Sequence, residues 1–165
     1  MAQSEKTART LAVEHIRIAC RKGFEEVHAA LLKGIPDLDP KLLTLLGCGT
    51  PEDISAKRAQ GPKLWLFSIR DHVGLLFAEG GRKKAYQYEI GNPLTAARMT
   101  RHKLPAALYA PLRVVLYEDS DGRAFFEYDR PSSLFDQFGD ERVTAVGREL
   151  DDDLESLLLD AAHQA

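Results

Sequence analysis

Residues 64–90 read Leu-Trp-Leu-Phe-Ser-Ile-Arg-Asp-His-Val-Gly-Leu-Leu-Phe-Ala-Glu-Gly-Gly-Arg-Lys-Lys-Ala-Tyr-Gln-Tyr-Glu-Ile. Three apolar segments of strand length lie here: Leu64–Ile69, Val73–Ala78 and Ala85–Ile90. The first two are continuous runs. The third alternates, with Tyr86, Tyr88 and Ile90 on one face. The connections, Asp71-His72 and Glu79-Gly80-Gly81-Arg82, are short. Short loops between neighbouring strands predict an antiparallel meander, because parallel pairing needs a long crossover.

The pattern extends in both directions. Downstream, Asn92-Pro93 stops the third strand and opens a helix from Pro93 to about His102, and Pro105 restarts a short helical turn through Tyr109. Leu112, Val114 and Leu116 alternate with Arg113, Val115 and Tyr117. Asp119-Ser120-Asp121-Gly122 is a hairpin turn, and Arg123–Asp129 returns with Phe126 and Tyr128 together. Asp129, Pro131, Ser132 and Ser133 form the strand exit. Val143, Val146, Leu150, Leu154, Leu157, Leu158 and Ala161 then trace one apolar stripe of a long helix that Asp140 can cap, with Asp151-Asp152-Asp153 on its solvated side.

Upstream, Ile16, Ile18 and Cys20 share one face of a strand, and His15 and Arg17 the other. Phe24, Val27, Leu31, Leu32 and Ile35 have helical spacing, with Glu25 and Glu26 in the first turn and Gly34 and Pro36 at the end. Asp39-Pro40 and Thr50-Pro51 open two short helices. The expected order is β-α-(short α)-βββ-α-ββ-α. That is an α+β fold with an antiparallel or mixed sheet of about six strands and helices packed on it. Residues 1–9 are expected to be a flexible N-terminus and 10–163 a single domain.

Composition agrees with one globular domain: 165 residues, 44% hydrophobic and 28% charged. Disordered, collagenous and coiled-coil classes are excluded. A net charge of −3 argues against nucleic acid as a partner. The N-terminus has no apolar signal-like stretch, and no segment approaches the roughly 20 apolar residues of a membrane helix, so the cytoplasm is the expected location. Cys20 and Cys48 have no CxxC spacing and read as free thiols.

No strong catalytic motif is present: there is no GxxxxGK[ST], HExxH or GxSxG. Gly47-Cys48-Gly49 lacks the preceding strand of a dinucleotide loop. Gly80-Gly81-Arg82-Lys83-Lys84 reads as a turn with solvated cations. His72 shares no metal-ligand spacing with His15, His28, His102 or His163. Neither a metal nor a cofactor is expected. The informative segment is Gly91-Asn92-Pro93. Gly91 permits close backbone approach. Asn92 can cap, and the helix start offers unpaired amides to an anion. Arg98, Arg101 and His102 form a cationic stripe that reads first as a partner of the acidic C-terminal helix and second as an anion site. His72, between two apolar segments, is a candidate acid–base group.

The ordered set Asp71-His72-x-Gly74-Leu75-Leu76, Tyr88-x-Ile90-Gly91-Asn92-Pro93-x-x-Ala96-x-x-Met99, Ala107-Leu108-Tyr109-Ala110-Pro111-Leu112-Arg113 and Tyr128-Asp129-Arg130-Pro131-Ser132-Ser133 resembles the domain-of-unknown-function family numbered 302. The resemblance runs from about Lys63 to the C-terminal helix, where Glu149-Leu150-Asp151 also fits. Val73 is a departure, since it separates His72 from Gly74. The resemblance implies a small bacterial or archaeal α+β domain, commonly a homodimer, with no established activity. It marks His72, Gly91, Asn92, Pro93, Tyr109, Pro111 and Arg113 as typical positions.

These readings combine into one expectation. A small anionic or carbonyl-bearing ligand lies at the Asn92-Pro93 helix start, held by His72, Gly91, Asn92, Pro93, Arg98, Tyr109 and Arg113, with His72 and Asn92 bordering one concavity. One alternative is an enzyme using His72 as general acid or base. Another is a homodimeric interaction domain anchored by Tyr86, Tyr88, Phe126 and Tyr128. The helical insert 36–60 is a candidate lid.

Overall fold

A computed structural model describes residues 5–81 and 83–163. Along the chain run β1 (His15–Ala19), α1 (Phe24–Gly34), α2 (Pro40–Cys48), α3 (Pro51–Gln60), β2 (Trp65–Asp71), α4 (Val73–Ala78), β3 (Ala85–Gly91) and α5 (Pro93–Thr100). A 3-10 helix (Leu104–Tyr109) leads into β4 (Leu112–Glu118) and β5 (Ala124–Asp129), followed by α6 (Pro131–Phe135) and α7 (Glu141–His163). One five-stranded sheet results, in the order β1-β5-β4-β3-β2, and every pairing is antiparallel.

The α+β class is as expected, but Val73–Ala78 is a helix and not a strand, so the sheet has five strands where about six were expected. Periodicity cannot separate a short apolar run of helix from one of strand. The composition leans towards helix: within Val-Gly-Leu-Leu-Phe-Ala only Val73 is β-branched. Asp71 also caps the turn, its Oδ1 accepting from the Val73 amide at 2.7 Å. Arg82, in the expected turn, and Met1–Ser4, in the expected N-terminal segment, lie outside the described residues.

Caps read from the sequence are in place. Asp39 Oδ1 accepts from Lys41 N, Thr50 and Asp53 form a reciprocal capping box, and Asp140 Oδ1 accepts from Arg142 N. In the β4–β5 turn, Asp119 Oδ1 accepts from the Asp121 and Arg123 amides, and Gly122 supplies the φ of 76°.

The core lies between one sheet face and two helices. Ile18, Tyr88, Ile90, Val114, Leu116 and Phe126 are buried beneath α1 and the Val143–Leu158 stripe of α7. The opposite face presents His15, Arg17, Glu127 and Tyr117. A second, smaller cluster (Leu42, Trp65 and Leu94, with Leu38, Leu45, Leu46, Ile54 and Phe67) attaches α2 and α3 to the start of β2. α6 and α7 meet closely. A Cβ on Gly147 would stand 3.0 Å from Ser132 Cα, and one turn on, Asp151, expected on the solvated side, is instead buried and accepts from the Ser132 amide at 2.8 Å.

Candidate functional site

The register of β2, β3 and β4 sets where the site forms. Trp65 pairs with Gly91, and Ile90 with Leu112, so the C-terminal end of β3 lies beside the segment entering β4. The Ala110–Pro111 peptide is cis, and an added Cβ on Gly91 would sit 3.5 Å from Pro111. α5 starts at that point. Its Pro93, Ala96, Ala97 and Thr100 follow i, i+3, i+4, i+7 and so share a face with no bulky side chain. The space they leave is an open groove of about 290 Å³, floored by Gly91, Pro111 and Leu112, backed by Met99, Phe135 and Leu150, and flanked by Phe67 and Leu43. Its lining is mainly apolar. Asn92 and Thr100 are the polar side chains among its lining residues.

Gly91, Asn92 and Pro93 therefore stand at the groove, as the sequence predicts. Asn92, however, is fully engaged. Its Oδ1 accepts from the Leu94 and Thr95 amides at 2.9 and 3.3 Å, and its Nδ2 donates to the Lys63 carbonyl at 3.0 Å. The amides expected to face an anion are thus capped by the protein itself.

The remaining expected residues do not converge. Arg98 makes two hydrogen bonds to Glu149 of α7, at 2.6 and 2.8 Å, which hold the Glu149 carboxyl below its ordinary range. This is the pairing with the acidic helix. Tyr109 packs edge-on against Phe135 and Phe138. With exposed Arg113 it borders a small adjoining cleft of about 20 Å³ that shares Pro111 and Leu112 with the groove but not its apolar face on α5. His72 is at the other end of the hairpin. Its amide donates to the Ala85 carbonyl at 3.0 Å, and Asp71 pairs with Tyr86. Six residue steps lead from Trp65 to Asp71, so His72 stands about 20 Å from Gly91 at ~3.3 Å per residue. The shared concavity of His72 and Asn92 does not form, because β2 runs its full length between them.

The tyrosine anchors expected of an interface are also placed differently. Tyr88 and Phe126 are fully buried and Tyr128 nearly so, all on the sheet face that α1 and α7 cover. Burial pushes the Tyr128 hydroxyl up to about 12. His28, unremarkable in the sequence, meets the Tyr88 hydroxyl through Nδ1 at 2.8 Å, beside Tyr86 and Phe24. Burial lowers its pKa, against the smaller opposing effect of Glu25. Among the described residues, no group of three or more His, Cys, Asp or Glu has a metal-binding arrangement, and no helix is long and apolar enough to cross a membrane.

The sequence profile of the family described as "Domain of unknown function DUF302" matches residues 56–161, from within α3 to the last turn of α7. The chain belongs to the DUF302 family. The crystal structure of an uncharacterized conserved DUF302 protein from Bacillus stearothermophilus superposes on it with a TM-score of 0.65 at 15% sequence identity, covering 89% of this chain and 97% of that one. At that identity the likeness speaks for the shared fold, which here includes elements ahead of the profile match. No curated protein matches the chain. Of the groove, the sequence marked Gly91, Asn92, Pro93 and Pro111. The small-residue face of α5 was the unused signal. Leu43 and Phe135 come from distant elements and carried none, and Leu150 stood out only as part of the α7 stripe and of the family resemblance.

Proposed function

We propose that this DUF302 domain binds a small, uncharged, mainly apolar molecule in the groove between α5, the end of β3 and Pro111. The observation that carries this reading is the lining: small and apolar side chains around about 290 Å³, with the Thr100 hydroxyl as a polar contact. A cavity of about 150 Å³ lined by apolar side chains holds a benzene ring, so this groove has room for a fused two-ring system. A carbonyl on the ligand suits Thr100, which retains that half of the sequence expectation. The anionic half finds no support. The α5 amides are capped, Arg98 is neutralised by Glu149, and in the polar trough beyond them Arg58, Lys63 and Arg98 face Glu149, Asp152 and Asp153.

The test compares 1-tetralone, a neutral bicyclic ketone, with inorganic phosphate. Tetralone is expected to raise Tm by about 3–5 °C at roughly ten times its Kd, and phosphate to leave it unchanged. Ala97→Phe, at an exposed α5 position that lines the groove, is expected to abolish the tetralone shift while the variant stays folded. Stabilisation by phosphate alone, or a tetralone shift that survives Ala97→Phe, sinks the reading.

A further inference from the structure

Residues 36–60 are an excursion that leaves and rejoins the body at one place. On departure, the Leu66 amide donates to the Pro36 carbonyl and the Leu38 amide to the Leu66 carbonyl, both at 2.9 Å. On return, Asn92 Nδ2 holds the Lys63 carbonyl and Lys63 Nζ meets Asp153 at 2.6 Å. Between these ties, α2 buries Leu42 and α3 buries no residue. The next side chain, Leu43, is 52% exposed and lines the groove. Of the other walls, Met99, Leu112, Phe135 and Leu150 belong to the main core. Phe67 belongs both to the groove and to the small cluster that seats α2.

We infer that α2 and α3 form a hinged wall of the groove and that Leu43 closes onto the bound molecule, limiting the size of ligand that fits. This rests on the groove reading above. A segment with few buried apolar side chains opens at low free-energy cost. An occupied groove gives Leu43 apolar surface to cover, and that contact exists only in the closed arrangement, so the ligand favours closure. Phe67, on the flank of the groove, transmits occupancy to the cluster beneath α2.

The experiment uses the full chain, 1-tetralone and hydrogen exchange. In the unaltered protein the probe is expected to slow amide exchange across residues 40–60 by roughly tenfold. Leu43→Ala, which removes a half-exposed side chain, is expected to weaken tetralone binding about fivefold, to erase that protection, and to improve binding of the three-ring ketone anthrone relative to tetralone. If tetralone binds, Ala97→Phe abolishes it, and yet exchange in 40–60 and the Leu43→Ala affinity are unchanged, the hinged wall is wrong and the groove stands. If tetralone does not bind at all, both fail.

Discussion

The two faces of the sheet carry the same residue types in opposite circumstances. On the face under α1 and α7, the buried Tyr88 donates to or accepts from the half-buried His28, and Phe126 is wholly buried. On the other face, His15 bridges Asp129 and Glu127 at 2.9 and 3.1 Å, and Tyr117 meets Glu127 and Arg17, all within reach of solvent. Phe125 on this side is shielded by a side chain rather than a helix, since the Arg17 guanidinium lies 3.7 Å from its ring centre. One face is held mainly by apolar burial and the other by direct charge pairs open to solvent. The difference also explains why an aromatic pair on a strand is poor evidence for an interface. Tyr88 and Tyr128 are conspicuous because they are core.

The largest expected contrast is in packing. Phe126→Ala removes a fully buried ring and is expected to cost about 3–5 kcal/mol in denaturant unfolding. Arg17→Ala, opposite, is expected to cost under about 1 kcal/mol and to lose most of that in high salt. Similar costs for the two would break the comparison. Next comes the buried hydroxyl. Tyr88→Phe leaves the ring in place but deprives His28 of its partner, for an expected loss of about 1 kcal/mol.

The smallest effect is the most diagnostic, because its sign differs between the faces. Burial lowers the His28 pKa, so below about pH 6.5 the unfolded chain takes up a proton that the folded one refuses. That contribution to stability is present above pH 6.5 and is lost as pH falls towards the folded value. Hydrogen bonds to Asp129 and then Glu127 raise His15. Its contribution is complete below about pH 6.5 and is lost as pH rises through the folded value. NMR titration of the two imidazoles should find His28 below and His15 above the ordinary histidine value. Finding both on the same side would erase the distinction.

Local chemistry was legible in the sequence wherever one segment determines its own structure. The α7 stripe, the Asp39, Thr50 and Asn92 caps and the Asp119 turn all formed as read. Val73–Ala78 was misread because an apolar run of that length has no distinguishing period. The site was legible only in part for a different reason. Gly91 and Asn92 announce a strand end and a helix start, but the depth of the groove depends on α2, α6 and α7. Asn92 looked available because nothing local reveals that Lys63 will claim its amide. His72 and Asn92 are both family-typical positions just past a strand end, but β2 and β3 are antiparallel, so their C-terminal ends lie at opposite ends of the hairpin.

The contact of Gly147 and Asp151 with Ser132 reaches further than its own seam. Ser132 begins the short helix that ends in Phe135, and Phe135 is the back of the groove. The long terminal helix therefore sets the position of that ring from outside, like a shim behind a door frame. A single methyl at residue 147, 3.0 Å from Ser132 Cα and 3.3 Å from the Phe135 ring, would change the shape offered to a ligand by pressing on that wall from behind.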